Sequence, residues 1–182
     1  MSLLLWSLLV LEIVVFVLFY IFLIDLIVIG HDFATTGPAI NRLAEIIERH
    51  GKQDGIFFDL GSSRGVLVFR LQSRCLQLTS TGVDGSAFRI FLSRIMFLWP
   101  GRRATFLKAD VLDVDISRAD VVYMYLGTWM MAGLEEKLRH EMKPGAIAVT
   151  NTQFLPTWEP AQTVIVHPEK PEFEKMFVYI QT

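Results

Sequence analysis

The stretch Gly55-Ile-Phe-Phe-Asp59-Leu-Gly-Ser-Ser-Arg-Gly65 decides the fold of this chain. An apolar run precedes its glycines, and a second apolar run, Val66–Leu71, follows them. This pattern predicts a strand, a tight glycine turn and a helix. Gly61 and Gly65 carry no side chain, so the backbone of such a turn can approach a ligand closely.

A second acid, Asp84, lies 25 positions after Asp59, at the end of the strand-like run Thr79–Val83. An acid at the tip of a second strand can bind the two hydroxyls of a ribose. We include Gly85, its neighbour, in the candidate site. The turn and the acid together predict a pocket for a nucleoside-containing cofactor in a Rossmann-like domain.

Predicted strands and helices alternate along the chain. The strands are expected at residues 56–60, 76–83, 104–108, 119–126 and 146–150, and the helices at 39–50, 65–74, 86–99 and 131–142. The first helix has a periodic apolar face, and Thr36 could cap it with Pro38 in its first turn. An antiparallel hairpin, 163–167 with 176–181, ends the chain. This order predicts an α/β sheet with helices on both faces. Right-handed crossovers bring the strand ends together at one edge, with Asp59, Asp84, Asp110 and the Leu126–Gly127 turn.

The N-terminal segment predicts one transmembrane helix. Leu3–Ile29 is apolar except for Glu12, Asp25 and scattered small polar groups, and as a helix it would be about 40 Å long. A cleaved signal peptide would carry a basic start and a shorter apolar core. We therefore expect an anchor over residues 1–30 and a globular domain over 31–182. Glu12 either faces a partner helix, as in self-association, or is tolerated among its apolar neighbours.

All 17 Lys and Arg residues follow this segment, and Arg42, Arg49 and Lys52 follow it closely. The positive-inside tendency predicts a cytoplasmic globular domain. The 17 acids of that domain balance its basic residues, which gives no support to nucleic-acid binding. A single cysteine excludes an intramolecular disulfide, and the four scattered histidines predict no metal site.

These features resemble the class I S-adenosylmethionine-dependent methyltransferases. Asp59, Gly61 and Gly65 match the first motif of that family, with Ser63 in place of its middle glycine. The resemblance implies that this loop passes under the methionine part of S-adenosylmethionine and that Asp84 binds the ribose. It also implies that Asp110 accepts a hydrogen bond from the adenine amine, with Val111 beside the ring.

A narrower resemblance covers nearly the whole chain. It is to the membrane-anchored protein-lysine methyltransferases that modify the ATP synthase c subunit and the adenine nucleotide translocase. The matching pieces are the N-terminal apolar segment, Ala34-Thr-Thr-Gly-Pro38, Tyr123-Met-Tyr-Leu-Gly-Thr-Trp-Met-Met131 and Phe154-Leu-Pro-Thr-Trp-Glu-Pro160. This resemblance implies a lysine acceptor in a membrane protein, at the bacterial or the mitochondrial inner membrane.

The chain departs from this family at the first loop. Ser63 stands where the family has glycine, which requires a negative φ at Ser63. Arg64 stands where the family usually has an acid, and a guanidinium that pointed inward would repel the sulfonium and ammonium of the cofactor. These departures leave a catalytically inactive cofactor-binding or scaffold protein as an alternative.

For catalysis, we expect Tyr125 to orient the acceptor amine, Trp129 and Trp158 to form the walls of its channel, and Glu159 to stabilise the incoming ammonium. A small molecule or a lipid is the alternative acceptor, because fold alone does not fix the substrate. A nicotinamide dehydrogenase is a weaker alternative, because the chain lacks the G-x-G-x-x-G fingerprint.

Overall fold

The computed structural model describes residues 3–28, 34–97 and 104–182, without the side chains of Asp25, Leu26 and Val28. The predicted helix end at Trp99 and part of the predicted hinge before Ala34 lie outside these residues. The chain divides between residues 32 and 33 into two compact units. The predicted domain boundary after residue 30 stays a prediction.

The first unit is helix α1, Leu3–Val28, with 26 residues. Its stretch Leu3–Ile24 is long and apolar enough to cross a membrane, by length and composition alone. Apart from Leu23, which is partly buried, the large apolar side chains that are described in α1 are exposed. Glu12 lies on one face of α1, along a groove lined by Leu8, Leu11, Val15, Phe16 and Phe19.

The second unit contains a seven-stranded sheet with the order β3-β2-β1-β4-β5-β7-β6. The strands are β1 Ile56–Leu60, β2 Thr79–Asp84, β3 Ala104–Lys108, β4 Val121–Met124, β5 Ile147–Asn151, β6 Gln162–Ile165 and β7 Lys175–Ile180. Strands β1 to β5 are parallel, and β7 is antiparallel to both β5 and β6. The predicted Rossmann-like sheet with a C-terminal hairpin is confirmed.

Helices cover both faces of this sheet: α2 Gly37–Arg49, α3 Val66–Gln72, α4 Ala87–Met96 and α5 Met131–Glu141. The first three bury apolar side chains in one core cluster, and α5 buries its own in a second cluster. Helix α2 begins as predicted, because the Thr36 hydroxyl accepts a hydrogen bond from the Ala39 amide at 3.2 Å. Burial of apolar stripes against a shared sheet holds this layered arrangement together.

Two predicted strands exceed the observed ones by two residues or more. Strand β2 begins at Thr79 rather than at residue 76, and Leu76 is exposed. Strand β4 covers four residues of the predicted 119–126. Before β4, the Ala119 amide donates to the Ile116 carbonyl and closes a turn. After β4, Tyr125 and Leu126 are no longer part of the strand. In both cases, apolar residues that were predicted to extend a strand lie in the loops next to it.

Candidate cofactor and active site

The loop after β1 turns over the end of the neighbouring strand. The amides of Gly61 and Ser62 both donate to the Val83 carbonyl, at 2.8 and 2.9 Å, and the Gly65 amide donates to the Ser62 carbonyl at 2.8 Å. Helix α3 begins directly after Gly65. These bonds hold the loop across the carboxyl ends of β1 and β2, where ligands of open α/β sheets bind.

Glycine is required at both ends of this loop. Gly61 and Gly65 have φ angles of 87° and 75°, in the left-handed region. A Cβ at Gly65 would also lie 2.7 Å from the Phe106 ring, and one at Gly61 would lie 2.5 Å from a methyl group of Leu126. The loop therefore packs its backbone directly against these two side chains, and the predicted close approach of a ligand at Gly61 and Gly65 stays a prediction.

Ser63 does not meet the condition set by the sequence. Its φ is +46°, so a residue with a Cβ occupies a left-handed conformation that favours glycine. Its amide donates to Asp84 Oδ2 at 2.9 Å. Backbone strain in this loop is thus coupled to the position of the candidate ribose ligand. Arg64, beside it, is exposed, as an outward-pointing guanidinium requires.

Asp84 is the last residue of β2 and is only 5% exposed. Its two carboxylate oxygens accept from backbone amides, Oδ2 from Ser63 and Oδ1 from Ser86 at 2.8 Å. Gly85 is exposed, and a Cβ built on it would meet nothing within 4 Å. The carboxylate is therefore held in a fixed orientation next to open space, which suits an acceptor for hydroxyl groups.

The end of β3 lies against the end of β2, because the Ala109 amide donates to the Asp84 carbonyl at 3.2 Å. Asp110 is exposed and its Oδ1 accepts from the Leu112 amide at 2.9 Å, whereas Val111 is buried in the second core cluster. The structure thus brings both predicted adenine contacts to the edge that carries Asp84.

Asp59 is 3% exposed and lies opposite Tyr123 in the β1–β4 ladder. The Tyr123 hydroxyl shares a 3.0 Å hydrogen bond with the Thr35 hydroxyl. Burial, reinforced by the negative charge of Asp59, raises the pKa of Tyr123 above its ordinary value, despite hydrogen bonds that oppose the shift. Tyr123 is therefore a neutral phenol beside the candidate methionine end of the pocket.

Two of the four predicted catalytic residues follow β4 at this edge. Tyr125 is partly buried and packs against the first core cluster. Trp129 lies in a short 3₁₀ helix, Thr128–Met130, and is 82% exposed. Its ring lies over Gly127, where a Cβ would come within 2.2 Å of it. An exposed indole over a bare backbone is available to contact an acceptor.

The other two lie elsewhere. Trp158 packs against Tyr179 with a ring separation of 5.5 Å, and the Arg139 guanidinium lies 4.7 Å from its ring centre. Tyr179 pairs with Ala148 near the start of β5, and Arg139 is in the last turn of α5. Glu159 is exposed on the same side. The structure therefore does not bring this pair to the carboxyl edge, and their predicted roles stay predictions.

Sequence reasoning missed a group of buried and partly buried polar side chains at the same edge. Its members come from the ends of β4 and β5, from the hairpin and from the residues before α2: Thr35, Thr36, Tyr123, Asn151, His167 and Glu174. Thr36 was predicted only as a helix cap. No local sequence pattern predicts this group, because its members are up to 139 positions apart in the chain.

Taken together, the residues at the carboxyl edge fit S-adenosylmethionine. Gly85 borders open space, Asp84 before it is an acceptor in a fixed orientation, and Val111 offers an apolar side chain for a base. Asp59 supplies a buried negative charge for an ammonium group. This arrangement lies where the class I fold binds its cofactor.

Comparison with known proteins agrees with this fit. Residues 59–162, more than half of the chain, match the model of the ANTKMT methyltransferase domain. A protein-lysine N-methyltransferase of Saccharolobus islandicus is 31% identical over 134 residues, which cover 72% of this chain and 82% of that protein. A carboxy-S-adenosyl-L-methionine synthase of Aliivibrio fischeri is 26% identical over 136 residues, 70% of this chain and 56% of that protein.

The fold is also found in a solved structure, an RNA methyltransferase from Salinibacter ruber in complex with S-adenosyl-L-homocysteine. It superposes with a TM-score of 0.71 at 22% identity, over 81% of this chain and 93% of that chain. The predicted cofactor, S-adenosylmethionine, is that of the class. With its glycine loop, the acid at the end of β2 and these relatives, the chain belongs to the ANTKMT methyltransferase-domain family of class I S-adenosylmethionine-dependent methyltransferases.

Proposed function

We propose that this protein is a membrane-anchored methyltransferase that methylates a lysine side chain of a membrane protein. The observation that carries the proposal is the similarity to a protein-lysine N-methyltransferase over 82% of that protein's length. The apolar helix α1 supports the membrane part, since 26 helical residues extend about 39 Å, enough for a bilayer core. An anchor would raise the effective concentration of substrates in the same membrane.

In this proposal the cofactor is held by the residues at the carboxyl edge. Asp84 accepts hydrogen bonds from the ribose, Asp110 and Val111 contact the adenine, and Asp59 faces the methionine end. Gly61, Ser63, Gly65 and Gly85 provide the backbone along which the cofactor lies. When bound, S-adenosylmethionine supplies an electrophilic methyl group on sulfur.

The chain must then position a neutral amine. A lysine has a reference pKa of about 10.4, so it loses a proton before it can act as a nucleophile. Partial desolvation lowers the pKa of an amine and favours that loss. Tyr125 and Trp129 are the candidates for orienting and covering the acceptor, because both follow β4 at this edge. Positioning of this kind contributes up to roughly 7–11 kcal/mol to catalysis in ideal cases.

The globular unit is proposed to lie on the cytoplasmic side, or on the matrix side in mitochondria. Arg42, Arg49 and Lys52 follow the apolar segment closely, and positive charge of this kind is retained inside. Protease added to sealed, right-side-out vesicles should leave this unit intact. Its digestion from outside would contradict the topology.

The test of the acceptor uses the full-length protein in native membranes with radiolabelled S-adenosylmethionine. We expect the label in the protein fraction after lipid extraction, and methyl-lysine after acid hydrolysis. Label in the extracted lipid would instead support the alternative acceptor. S-Adenosylhomocysteine binding without any transfer would support the scaffold alternative. The matched control is Trp129→Ala, which should reduce transfer while leaving S-adenosylhomocysteine binding within about twofold, because Trp129 lies outside the proposed cofactor contacts.

A further inference from the structure

Polar side chains line one face of the sheet at its carboxyl edge. Asp59 on β1, Tyr123 on β4, Asn151 on β5 and Glu174, directly before β7, are each at most 4% exposed. These four strands are neighbours in the sheet. The first two residues are in register with each other. A continuous buried polar row therefore extends from the cofactor loop to the C-terminal hairpin.

Glu174 makes the densest set of contacts in this row. Asn151 Nδ2 donates to its Oε1 at 2.7 Å, and the Thr36 hydroxyl donates to its Oε2 at 2.9 Å. His167 Nε2 lies 3.0 Å from the same Oε2. One buried carboxylate thus joins β5, the hairpin and the residues that precede α2.

The segment Thr35–Thr36 is consequently fastened at two points. Thr36 is bonded to Glu174, and Thr35 is bonded to the Tyr123 hydroxyl. Both bonds join residues that are far apart in sequence, by 138 and 88 positions. Tyr123, to which Thr35 is bonded, lies opposite Asp59 on the neighbouring strand. The segment therefore crosses the row next to the acid of the cofactor loop.

Burying a carboxylate is costly unless it is hydrogen-bonded, and an apolar residue at such a place is often at least as stable. Apolar contacts, however, do not fix a backbone segment at one distance and angle, whereas hydrogen bonds do. A polar fastening is thus suited to a segment whose position matters to a neighbouring site.

We propose that Glu174 is a positioning residue, which holds Thr35–Thr36 against Tyr123 so that this segment forms the wall of the cofactor pocket beside Asp59. The wall encloses the methionine end of S-adenosylmethionine, next to the charge that faces its ammonium group. The proposal rests on the cofactor assignment and is independent of the identity of the methyl acceptor.

The test measures S-adenosylhomocysteine affinity by calorimetry on the full-length protein in detergent micelles. Thr35→Val removes the hydroxyl and keeps the shape, and it should weaken binding at least fivefold. Thr35→Ser keeps the hydroxyl and should bind within twofold of the wild type. Glu174→Gln, which removes the charge, should weaken binding at least as much as Thr35→Val.

The matched control is Tyr179→Phe. The Tyr179 hydroxyl accepts a buried hydrogen bond from the Leu155 amide at 2.9 Å, on the other face of the sheet. Its loss should lower the unfolding temperature about as much as Tyr123→Phe does. Only Tyr123→Phe should weaken the binding of S-adenosylhomocysteine.

Wild-type affinity in both Thr35→Val and Tyr123→Phe would overturn the proposal, even if Glu174→Gln fails to fold. Equal weakening by Tyr179→Phe would also overturn it, because the effect would then be general destabilisation. Absence of binding in the wild-type protein would refute the cofactor assignment as well. Binding with methyl transfer to a lipid would refute the lysine proposal and leave this inference intact.

Discussion

Each edge of the parallel sheet carries an aspartate, and the two carboxylates have different surroundings. At the amino edge, Asp120 lies 2.8 Å from Lys143 Nζ and 3.9 Å from Lys52 Nζ, and it accepts from the Ile56 amide at 2.9 Å. At the carboxyl edge, Asp84 is held by the amides of Ser63 and Ser86, next to open space at Gly85. The first acid pairs with lysine side chains, and the second is held by backbone amides in a fixed orientation, as its proposed role as a ribose ligand requires.

The backbone differs as well, because the two non-glycine residues with positive φ in the described part of the chain, Ser63 and Thr152, both follow the carboxyl ends of strands. The loop at the carboxyl edge contains two glycines and Ser63, all with positive φ. Strain of this kind persists where the surrounding structure fixes it, and it concentrates at binding sites. Burial alone therefore does not distinguish an acid that pairs with lysines from an acid that is a candidate ligand contact. Asp120 has the ammonium groups of two lysines beside it, whereas each carboxylate oxygen of Asp84 accepts from the amide of a loop residue.

The largest effect is expected from Asp84→Ala. It removes the acceptor proposed for both ribose hydroxyls and the bond that holds the Ser63 amide. Hydrogen bonds to a charged group contribute about 1.5–3 kcal/mol each, so S-adenosylhomocysteine affinity should fall by roughly 100-fold or more. Calorimetry on the full-length protein measures this loss. Wild-type affinity of Asp84→Ala for S-adenosylhomocysteine would show that Asp84 does not bind the cofactor, and the proposed difference between the two edges would then be wrong.

A smaller effect, on stability and not on binding, is expected from Asp120→Asn. The amide oxygen can still accept from Ile56, but the attraction to both lysines is lost, at a cost of about 1 kcal/mol. The unfolding temperature should fall by about 2–4 °C. S-Adenosylhomocysteine affinity should stay within twofold of the wild type, and a larger loss would show that the edges are coupled.

The same carboxylate predicts a pH dependence. Burial opposes ionisation of Asp120, but the hydrogen bonds from Lys143 and Ile56 outweigh it, so its pKa lies below the ordinary value of 3.8. Its contribution to stability is present above pH 3.8 and is lost as the pH falls through the lowered pKa. Urea unfolding between pH 2.5 and 6 should show this loss in the wild type and a shallower one in Asp120→Asn. Parallel curves would contradict the assignment.

The smallest effect is expected from Ser63→Gly. Relief of the left-handed conformation should outweigh the extra entropy of glycine in the unfolded chain and stabilise the protein by about 0.5–1 kcal/mol. Closer backbone approach should also tighten S-adenosylhomocysteine binding. Thr152, with φ of +68°, provides the matched control. Thr152→Gly should stabilise similarly and leave the affinity unchanged, and destabilisation by Ser63→Gly would refute the strain at the loop.

Several elements could be predicted because their signals are local. The run before Asp59, the glycines after it and the periodic apolar face of α2 each reflect contacts within a few residues or a repeat. The strand tips that carry Asp59, Asp84 and Asp110 followed from the alternation of strands and helices. The lengths of β2 and β4 were overestimated, because apolar side chains beyond the ladder pack in loops and resemble strand residues.

Other features required three-dimensional information. Trp158 follows a threonine in the sequence, as Trp129 does, and both were predicted to line the acceptor channel. In the structure, however, Trp158 stacks with Tyr179 and Arg139 away from the carboxyl edge. Ser63 has a positive φ, and its amide donates to Asp84 at the end of another strand. Sequence patterns do not specify such contacts, since they arise from the register between strands.

By itself, the sequence determined an apolar N-terminal helix, an α/β sheet with a C-terminal hairpin and a glycine loop with acids at successive strand tips. Hydrophobic periodicity and backbone conformation act over short distances along the chain, so these features can be read from neighbouring residues. Only the tertiary structure decided that Glu174, Asn151, Tyr123 and Thr36 form one buried group and that Trp158 lies away from the site. Those contacts join distant parts of the chain, and the packing of four adjacent strands places them together.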